Sequence, residues 1–238
     1  MGKEVFVWRF RRYSIGTYEE LVPNSHCMYI NGAQGDTNHV DVRLGKDDPV
    51  PRGGYKRSRY MGRKIAMSVI ANYDLAFPLE GTEIAYAQKY TTVIYNKGTP
   101  EEYPAAKEIV ERFKEGGIEY ALPDVKGMLR TSLNAQAHRI VSLWDQPDTR
   151  EIVLSGIRVG DVAFAGFPGE PFTEMGRGVK KNSKYTLTIP SCATNGYEAY
   201  FPTEDAYEYG SYEGMTARFV KGTAEQLTKE SYELINSL

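Results

Sequence analysis

The residues best equipped for chemistry lie between Phe164 and Gly214. An apolar run, Phe164-Ala-Gly-Phe167, delivers a lone carboxylate, Glu170, onto a Pro/Gly turn that opens the next helix. That carboxylate suits a hard oxygen ligand for a metal, a general base, or a cap for the helix behind it. Spacing alone leaves all three open. Some thirty residues later a Gly-punctuated loop gathers Asn195, Tyr197, Tyr200, Tyr207, Tyr209 and Tyr212. Phenols donate to a developing oxyanion and, more rarely, ligate a metal. The same tyrosines equally suit a surface that contacts polysaccharide or lipid. A third polar cluster, Asp36, Asn38 and His39, closes the loop Asn31-Gly-Ala-Gln-Gly-Asp36. Its two glycines let the backbone approach a neighbour closely.

These groups need elements to hold them. Cys27–Ile30 reads as a short buried strand feeding the Asp36 loop, the place where open α/β sheets bind ligands. Residues 1–24 show no clean period and end as a short helix and turn at Leu21-Val-Pro-Asn24. Residues 41–51 form a polar loop with two prolines. From Tyr55 to Ala76 the apolar residues recur at three and four, giving an amphipathic helix with a solvated basic outer face. Residues 83–95 alternate and are rich in Tyr, Thr, Val and Ile, which predicts a strand.

A helix opens at Pro100-Glu-Glu102 and stops at Gly116-Gly117, and another covers 125–144 with Leu129, Leu133, Ala137, Ile140, Val141 and Trp144 inward. His138, on that helix without a second ligand four residues away, reads as a packed or surface residue. A hairpin pairs 151–159 with 162–167 through Gly160-Asp161. A helix over 172–180, a strand over 185–189 and an amphipathic helix over 223–238 complete the chain. The predicted fold is a single mixed α/β domain, a mixed sheet flanked by helices.

With 238 residues, 41% hydrophobic and 25% charged, the chain has an ordinary globular composition. Its formal charge of −2 argues against a nucleic-acid partner. The basic cluster Arg9-Phe-Arg11-Arg12 reads as a solvated face. No eighteen-residue apolar run predicts a transmembrane segment. No signal peptide is visible, which leaves the cytoplasm as the default. Cys27 and Cys192 read as reduced, buried thiols, and the absence of Cys-x-x-Cys spacing excludes the common structural zinc folds.

Four stretches together resemble the neutral/alkaline (non-lysosomal) ceramidase family, in that family's order. They are Asn31-Gly-Ala-Gln-Gly-Asp-Thr-Asn-His, Phe167-Pro-Gly-Glu-Pro-Phe-Thr-Glu-Met-Gly-Arg, Asn195-Gly-Tyr-Glu-Ala-Tyr-Phe-Pro-Thr and Tyr212-Glu-Gly. The resemblance spans roughly residues 25–238 and corresponds to the C-terminal portion of the catalytic domain, with residues 1–24 outside it. It implies a zinc-dependent amidohydrolase acting on an N-acyl amide of the N-acylsphingosine type, a lipid substrate. Glu170 and Tyr200 fall on the zinc glutamate and tyrosine, and Tyr212 on the tyrosine that hydrogen-bonds the scissile carbonyl. Asp36 falls in the Gly-Asp loop, and Asn38 stands where the family has its catalytic serine, as in bacterial relatives that look like other hydrolases of the superfamily.

A zinc ion would polarise the carbonyl and bring the pKa of bound water to about 7. A phenol at the oxyanion is worth roughly 3 kcal/mol. The family's two zinc histidines lie upstream, so the resemblance gives this chain two of the four ligands, and loss of activity in the chain alone is one outcome it allows. Two alternatives stay open: a metal-dependent hydrolase of another amide or ester, with Asn38 replacing the serine, and a non-catalytic remnant. A missing half-domain would leave sheet edges and apolar faces uncovered, so self-association is a further expectation.

Overall fold

The computed structural model describes residues 3–40, 49–50 and 53–238. The polar loop expected over 41–51 lies almost wholly outside them. The chain divides into two compact units, Met1–Ile30 with Asn38–Pro78, and Asn31–Thr37 with Leu79–Leu238.

The first unit pairs two helices, α1 (Lys3–Leu21) and α2 (Gly54–Ala71), followed by a single 3₁₀ turn at Tyr73–Leu75. The short terminal helix expected before Asn24 is a correction: α1 runs for 19 residues. Of the apolar residues whose spacing predicts α2, Tyr60, Met61, Ile65 and Ile70 are half-buried and Val69 and Tyr73 exposed, so none lies in the fully buried stripe of the helix. That stripe is instead Ser58, Gly62 and Ala66, small residues four apart that permit close packing on α1. The Cys27–Ile30 strand is a second correction. That segment has no regular structure and Met28 is exposed, because no neighbouring strand is there to pair with it.

The second unit is built on a four-stranded mixed sheet in the order β1-β2-β3-β5. Strand β1 (Ile84–Ile94) is the alternating Tyr/Thr/Val/Ile stretch, and it pairs antiparallel with β2 (Thr149–Val159) in register Ile84↔Val159 to Ile94↔Thr149. β2 turns into β3 (Val162–Gly166) through Gly160-Asp161, with Gly160 at φ 53, the first-position glycine a tight II′ turn asks for. After β3 the chain makes the two-residue strand β4 (Glu170–Pro171), helix α5 (Thr173–Asn182) and β5 (Leu187–Ser191), which returns parallel to β3. One sheet face packs under α5 and α8 (Thr223–Asn236), where Leu154, Ala163, Phe167, Val179, Leu227 and Ile235 are fully buried. On the other face Ile84, Tyr86, Tyr90, Ile94 and Ile157 are exposed, an uncovered apolar face of the kind anticipated above.

Helices α3 (Glu102–Ala121) and α4 (Gly127–Leu143) pack on each other around Ala106, Val110, Ala137 and Ile140. α3 begins at a reciprocal capping box, with the Thr99 N–H donating to Glu102 Oε2 (2.7 Å) and the Glu102 N–H to Thr99 Oγ1 (3.3 Å). It does not stop at Gly116-Gly117: Gly117 at φ 78 puts a kink there and the helix resumes to Ala121. On α4, Leu129 is exposed and the buried stripe includes Arg139, whose Nη1 donates to the Asn96 carbonyl at 2.5 Å. Burial holds that guanidinium below its ordinary value. His138 packs edge-on against Phe113, ring centres 5.0 Å apart. Mixed α/β, with helices on a mixed sheet, is the architecture the sequence predicts.

Candidate functional site

Glu170 is placed by main chain on both sides. Residues 167–172 leave the end of β3 and run between two loops. On one side the Ala193, Thr194 and Glu198 N–H groups donate to the Gly169, Phe167 and Pro168 carbonyls at 2.7–2.8 Å, and the Glu170 N–H donates to Ala199 O at 2.7 Å. On the other the Gly35 N–H donates to Pro171 O at 2.9 Å. The approach is close enough to demand glycine. A Cβ on Gly169 would stand 2.5 Å from Ala199 O, and one on Gly35 would stand 2.5 Å from Glu170 O.

This lacing sets β4 parallel to β6 (Tyr200–Phe201) with Glu170 opposite Tyr200. The carboxylate and phenol thus leave the pair on the same face. Tyr197 closes the arrangement from the loop, its hydroxyl donating to Glu170 Oε1 at 2.5 Å. Past the short helix α6 (Glu204–Glu208), Tyr212 opens the equally short α7 (Tyr212–Thr216), capped by Ser211, whose Oγ accepts from Gly214 N at 3.0 Å. Its ring meets that of Tyr200 edge-on, centres 6.3 Å apart at 79°. Glu170, Tyr197, Tyr200 and Tyr212 therefore form one cluster at the ends of β3, β4 and β6.

The electrostatics keep the phenols protonated. Burial, the hydrogen bond to Glu170 and that group's charge all raise the Tyr197 pKa. The residue is 60% exposed, so the carboxylate contact is the better-founded cause. Burial and the charges of Glu170, Tyr212 and Glu213 raise that of Tyr200. Both are hydroxyl donors at neutral pH.

The loop carrying Tyr197 is strained. Ala193, Asn195 and Ala199 all sit at positive φ (48, 56 and 62), which side chains bearing a Cβ adopt at a cost near 1 kcal/mol each. Glu198 anchors it from below. Its buried carboxylate receives Arg150 Nε (3.0 Å) and Nη2 (2.8 Å) on Oε1, while Arg218 Nη1 lies 2.9 Å from Oε2 as an ion-pair contact without hydrogen-bond alignment. Asn195 Nδ2 donates to Ser155 Oγ at 2.9 Å.

Of the residues singled out in the sequence, Glu170, Tyr200 and Tyr212 come together. Asp36 lies beside them in a supporting position: its Oδ1 accepts from the Thr173 N–H (2.8 Å) and hydroxyl (2.7 Å), capping α5 from a remote loop. Asn38 belongs to the other compact unit, where its Oδ1 accepts from the Val40 N–H at 2.9 Å. Tyr207 is engaged with main chain, donating to Phe219 O at 2.9 Å, and Tyr209 is exposed. Tyr197, singled out in the sequence as one of the loop phenols that could donate to an oxyanion or ligate a metal, instead spends its hydroxyl on Glu170. Sequence reasoning missed Glu198 with Arg150 and Arg218, for which spacing offers no signal.

No family model matches this sequence, and no curated protein matches it. Solved structures of similar fold are found. The structure is similar to the crystal structure of neutral ceramidase from Pseudomonas aeruginosa, with a TM-score of 0.61 at 14% identity over 96% of this chain and 40% of that one. It is similar also to a ceramidase complexed with C2, with a TM-score of 0.60 at 12% identity over 96% and 42%. The likeness is one of fold, and the chain spans about two fifths of the length of those proteins.

The donor set bears on zinc directly. A catalytic zinc takes three protein ligands and a water. Glu170 and Tyr200 supply two oxygens, and His138 is packed against Phe113 on α4. Among the described residues no three His, Cys, Asp or Glu side chains gather as a metal would require. The ceramidase-like fold thus carries a carboxylate–phenol cluster whose own donors do not complete a zinc site.

Proposed function

We propose that this chain is a ceramidase-like hydrolase, with Glu170, Tyr200 and Tyr212 as its reactive groups and the amide of an N-acyl lipid as substrate. One observation carries the reading: the β4–β6 register sets Glu170 against Tyr200, with Tyr197 and Tyr212 closing on the same cluster, in a fold similar to two ceramidases. In the reaction water adds to the amide carbon while Glu170 accepts its proton. The oxyanion that forms is met by hydroxyl donors, Tyr212 foremost. The proton held on Glu170 then passes to the leaving nitrogen, the C–N bond breaks, and a carboxylic acid and an amine are released.

The raised pKa of Tyr200 supports a second donor beside Tyr212, because a phenolate could not stabilise an oxyanion. Tyr197 orients the carboxylate, and Asp36 acts through α5 by fixing the start of the helix behind it. Asn38 is given no step. Glu170 and Tyr200 are also the side chains that would enter a zinc shell, but two further donors are required and no step is routed through a metal.

The test is amine release from N-acylsphingosine by the folded chain, with and without added zinc, alongside metal analysis of the purified protein. The proposal expects hydrolysis that Glu170→Ala lowers at least a hundredfold and Tyr212→Phe by ten- to a hundredfold, on the scale of a lost base and a lost oxyanion donor. A folded chain that releases no amine under either condition, or a Glu170→Ala variant as active as its parent, overturns it.

A further inference from the structure

Helix α2 contains Lys56, Arg57, Arg59, Arg63 and Lys64 and no acidic residue, in a chain whose overall charge is −2. The stripe buried on this helix is Ser58, Gly62 and Ala66, and Lys56, Arg59, Arg63 and Lys64 are exposed beside it, Arg59 at its edge over the Tyr13 ring of α1 at 5.4 Å. With Tyr60 and Met67 they line a shallow groove of about 480 Å³. Arg57 is committed elsewhere, its Nε donating to the His39 carbonyl at 2.8 Å.

Beyond Lys64 the character changes. The remaining turns of α2 carry no charge, and the exposed side chains become apolar: Met67 (50%), Leu75 (73%) and Phe77 (64%), with Val69 and Tyr73 beside them and Asp74 as the one acid. Arg63 and Met67 are one turn apart, about 6 Å along the axis. A cationic collar therefore adjoins an apolar, aromatic tip on the same unit. A solvated helix face has no use for an exposed Leu75 and Phe77. A nucleic acid would use the cations but not the tip. An anionic lipid surface uses both, since headgroups attract the collar while the tip enters the acyl boundary and aromatics settle at the interface.

We propose that the α2 collar and the Met67–Phe77 tip dock this protein peripherally on anionic lipid bilayers. No helix among the described residues is long and apolar enough to cross one. The inference does not rest on the amide-hydrolase reading, and a membrane-bound chain need not be an active one.

The test is co-sedimentation of the whole chain with phosphatidylcholine vesicles with and without phosphatidylglycerol. Binding is expected only to the phosphatidylglycerol vesicles, weakening as salt rises. At about fivefold per basic side chain, K56Q/R59Q/R63Q/K64Q should lower affinity several-hundredfold. L75S/F77S should remove the binding that survives high salt. Both sets change exposed side chains, and far-UV circular dichroism checks that each variant is folded. Glu170→Ala should bind vesicles as the parent does, so loss of hydrolysis and loss of docking read out separately. Failure of the folded parent to bind phosphatidylglycerol vesicles overturns the proposal, as does parental affinity in the four-fold variant. Tighter binding to duplex DNA that ignores L75S/F77S overturns it in favour of a nucleic-acid surface.

Discussion

Replacing Glu198 by Ala is expected to release the loop that carries Tyr197. The three residues held at positive φ, Ala193, Asn195 and Ala199, cost about 3 kcal/mol together, so something must hold them. Three loop N–H groups bonded to the Phe167, Pro168 and Gly169 carbonyls supply part of that. The rest comes from Glu198 between Arg150 and Arg218. A charge-assisted hydrogen bond is worth about 1.5–3 kcal/mol when shielded. The arginine side chains are 48% and 36% exposed, so solvent screening reduces each contact to about 1 kcal/mol.

Glu198→Ala should therefore cost about 2 kcal/mol, which for a domain of this size lowers Tm by about 4–8 °C. Glu198→Gln keeps an acceptor for Arg150 but no charge and should cost about half as much. Local release is read by hydrogen exchange at the Ala193, Thr194 and Glu198 amides, which should lose protection more than amides of β2 do. An alanine variant with parental Tm and parental exchange at these three amides would show that the main-chain lacing alone carries the loop, and would refute the anchor.

Three further outcomes follow from single contacts. Gly169→Ala would drive a Cβ to 2.5 Å from Ala199 O, parting β4 from β6; we expect it to destabilise by 1–3 kcal/mol in urea unfolding and to lower amide hydrolysis with it, whereas neutral behaviour would deny the close approach. For Glu230, burial raises the carboxyl pKa, but hydrogen bonds from Thr91, Gln226 and Lys89 outweigh it and hold the group below its ordinary 4.5. The stability this contributes is present above 4.5 and lost as pH falls below it, so Glu230→Gln should flatten the acid limb of a Tm–pH curve. The raised phenols give the opposite limb: their contribution is complete below the ordinary tyrosine value of 10.0 and declines as pH rises past it, and Tyr197→Phe should shallow that decline.

The second unit was legible wherever burial writes a period into the sequence. β1, the β2–β3 hairpin, α5 and α8 all appear where alternation or three-and-four spacing predicts them, because each buries one face against a partner. The first unit was legible only in part: α2 appears where three-and-four spacing predicts a helix, but neither the length of α1 nor the packing face of α2 could be read. α1 carries aromatics and arginines all round, so no stripe announces its length, and α2 packs through Ser58, Gly62 and Ala66, residues a hydrophobic pattern passes over. Cys27–Ile30 shows the converse error. Four apolar residues in a row satisfy a strand template, but a strand needs an edge to pair with, and edges are not written locally.

The candidate site divides the same way. Glu170 stood out as a lone carboxylate behind an apolar run, whereas Tyr200 and Tyr212 were told from the other three tyrosines of their loop only by the resemblance to the ceramidase family. What holds them there was hidden, since it is made of long-range pairings: Glu198 finds Arg150 48 positions away, and Asp36 caps a helix 137 positions on. The consequence is a claim about mechanism. Glu170 is aimed by β4–β6 main chain, by Tyr197 and by a strained loop clamped on Glu198, so its position depends on the 31–37 and 193–199 loops more than on the sheet beneath. A carboxylate held this way does not drift when the core is trimmed. Core substitutions should therefore lower stability well before they lower hydrolysis, and changes in the two loops should do the reverse.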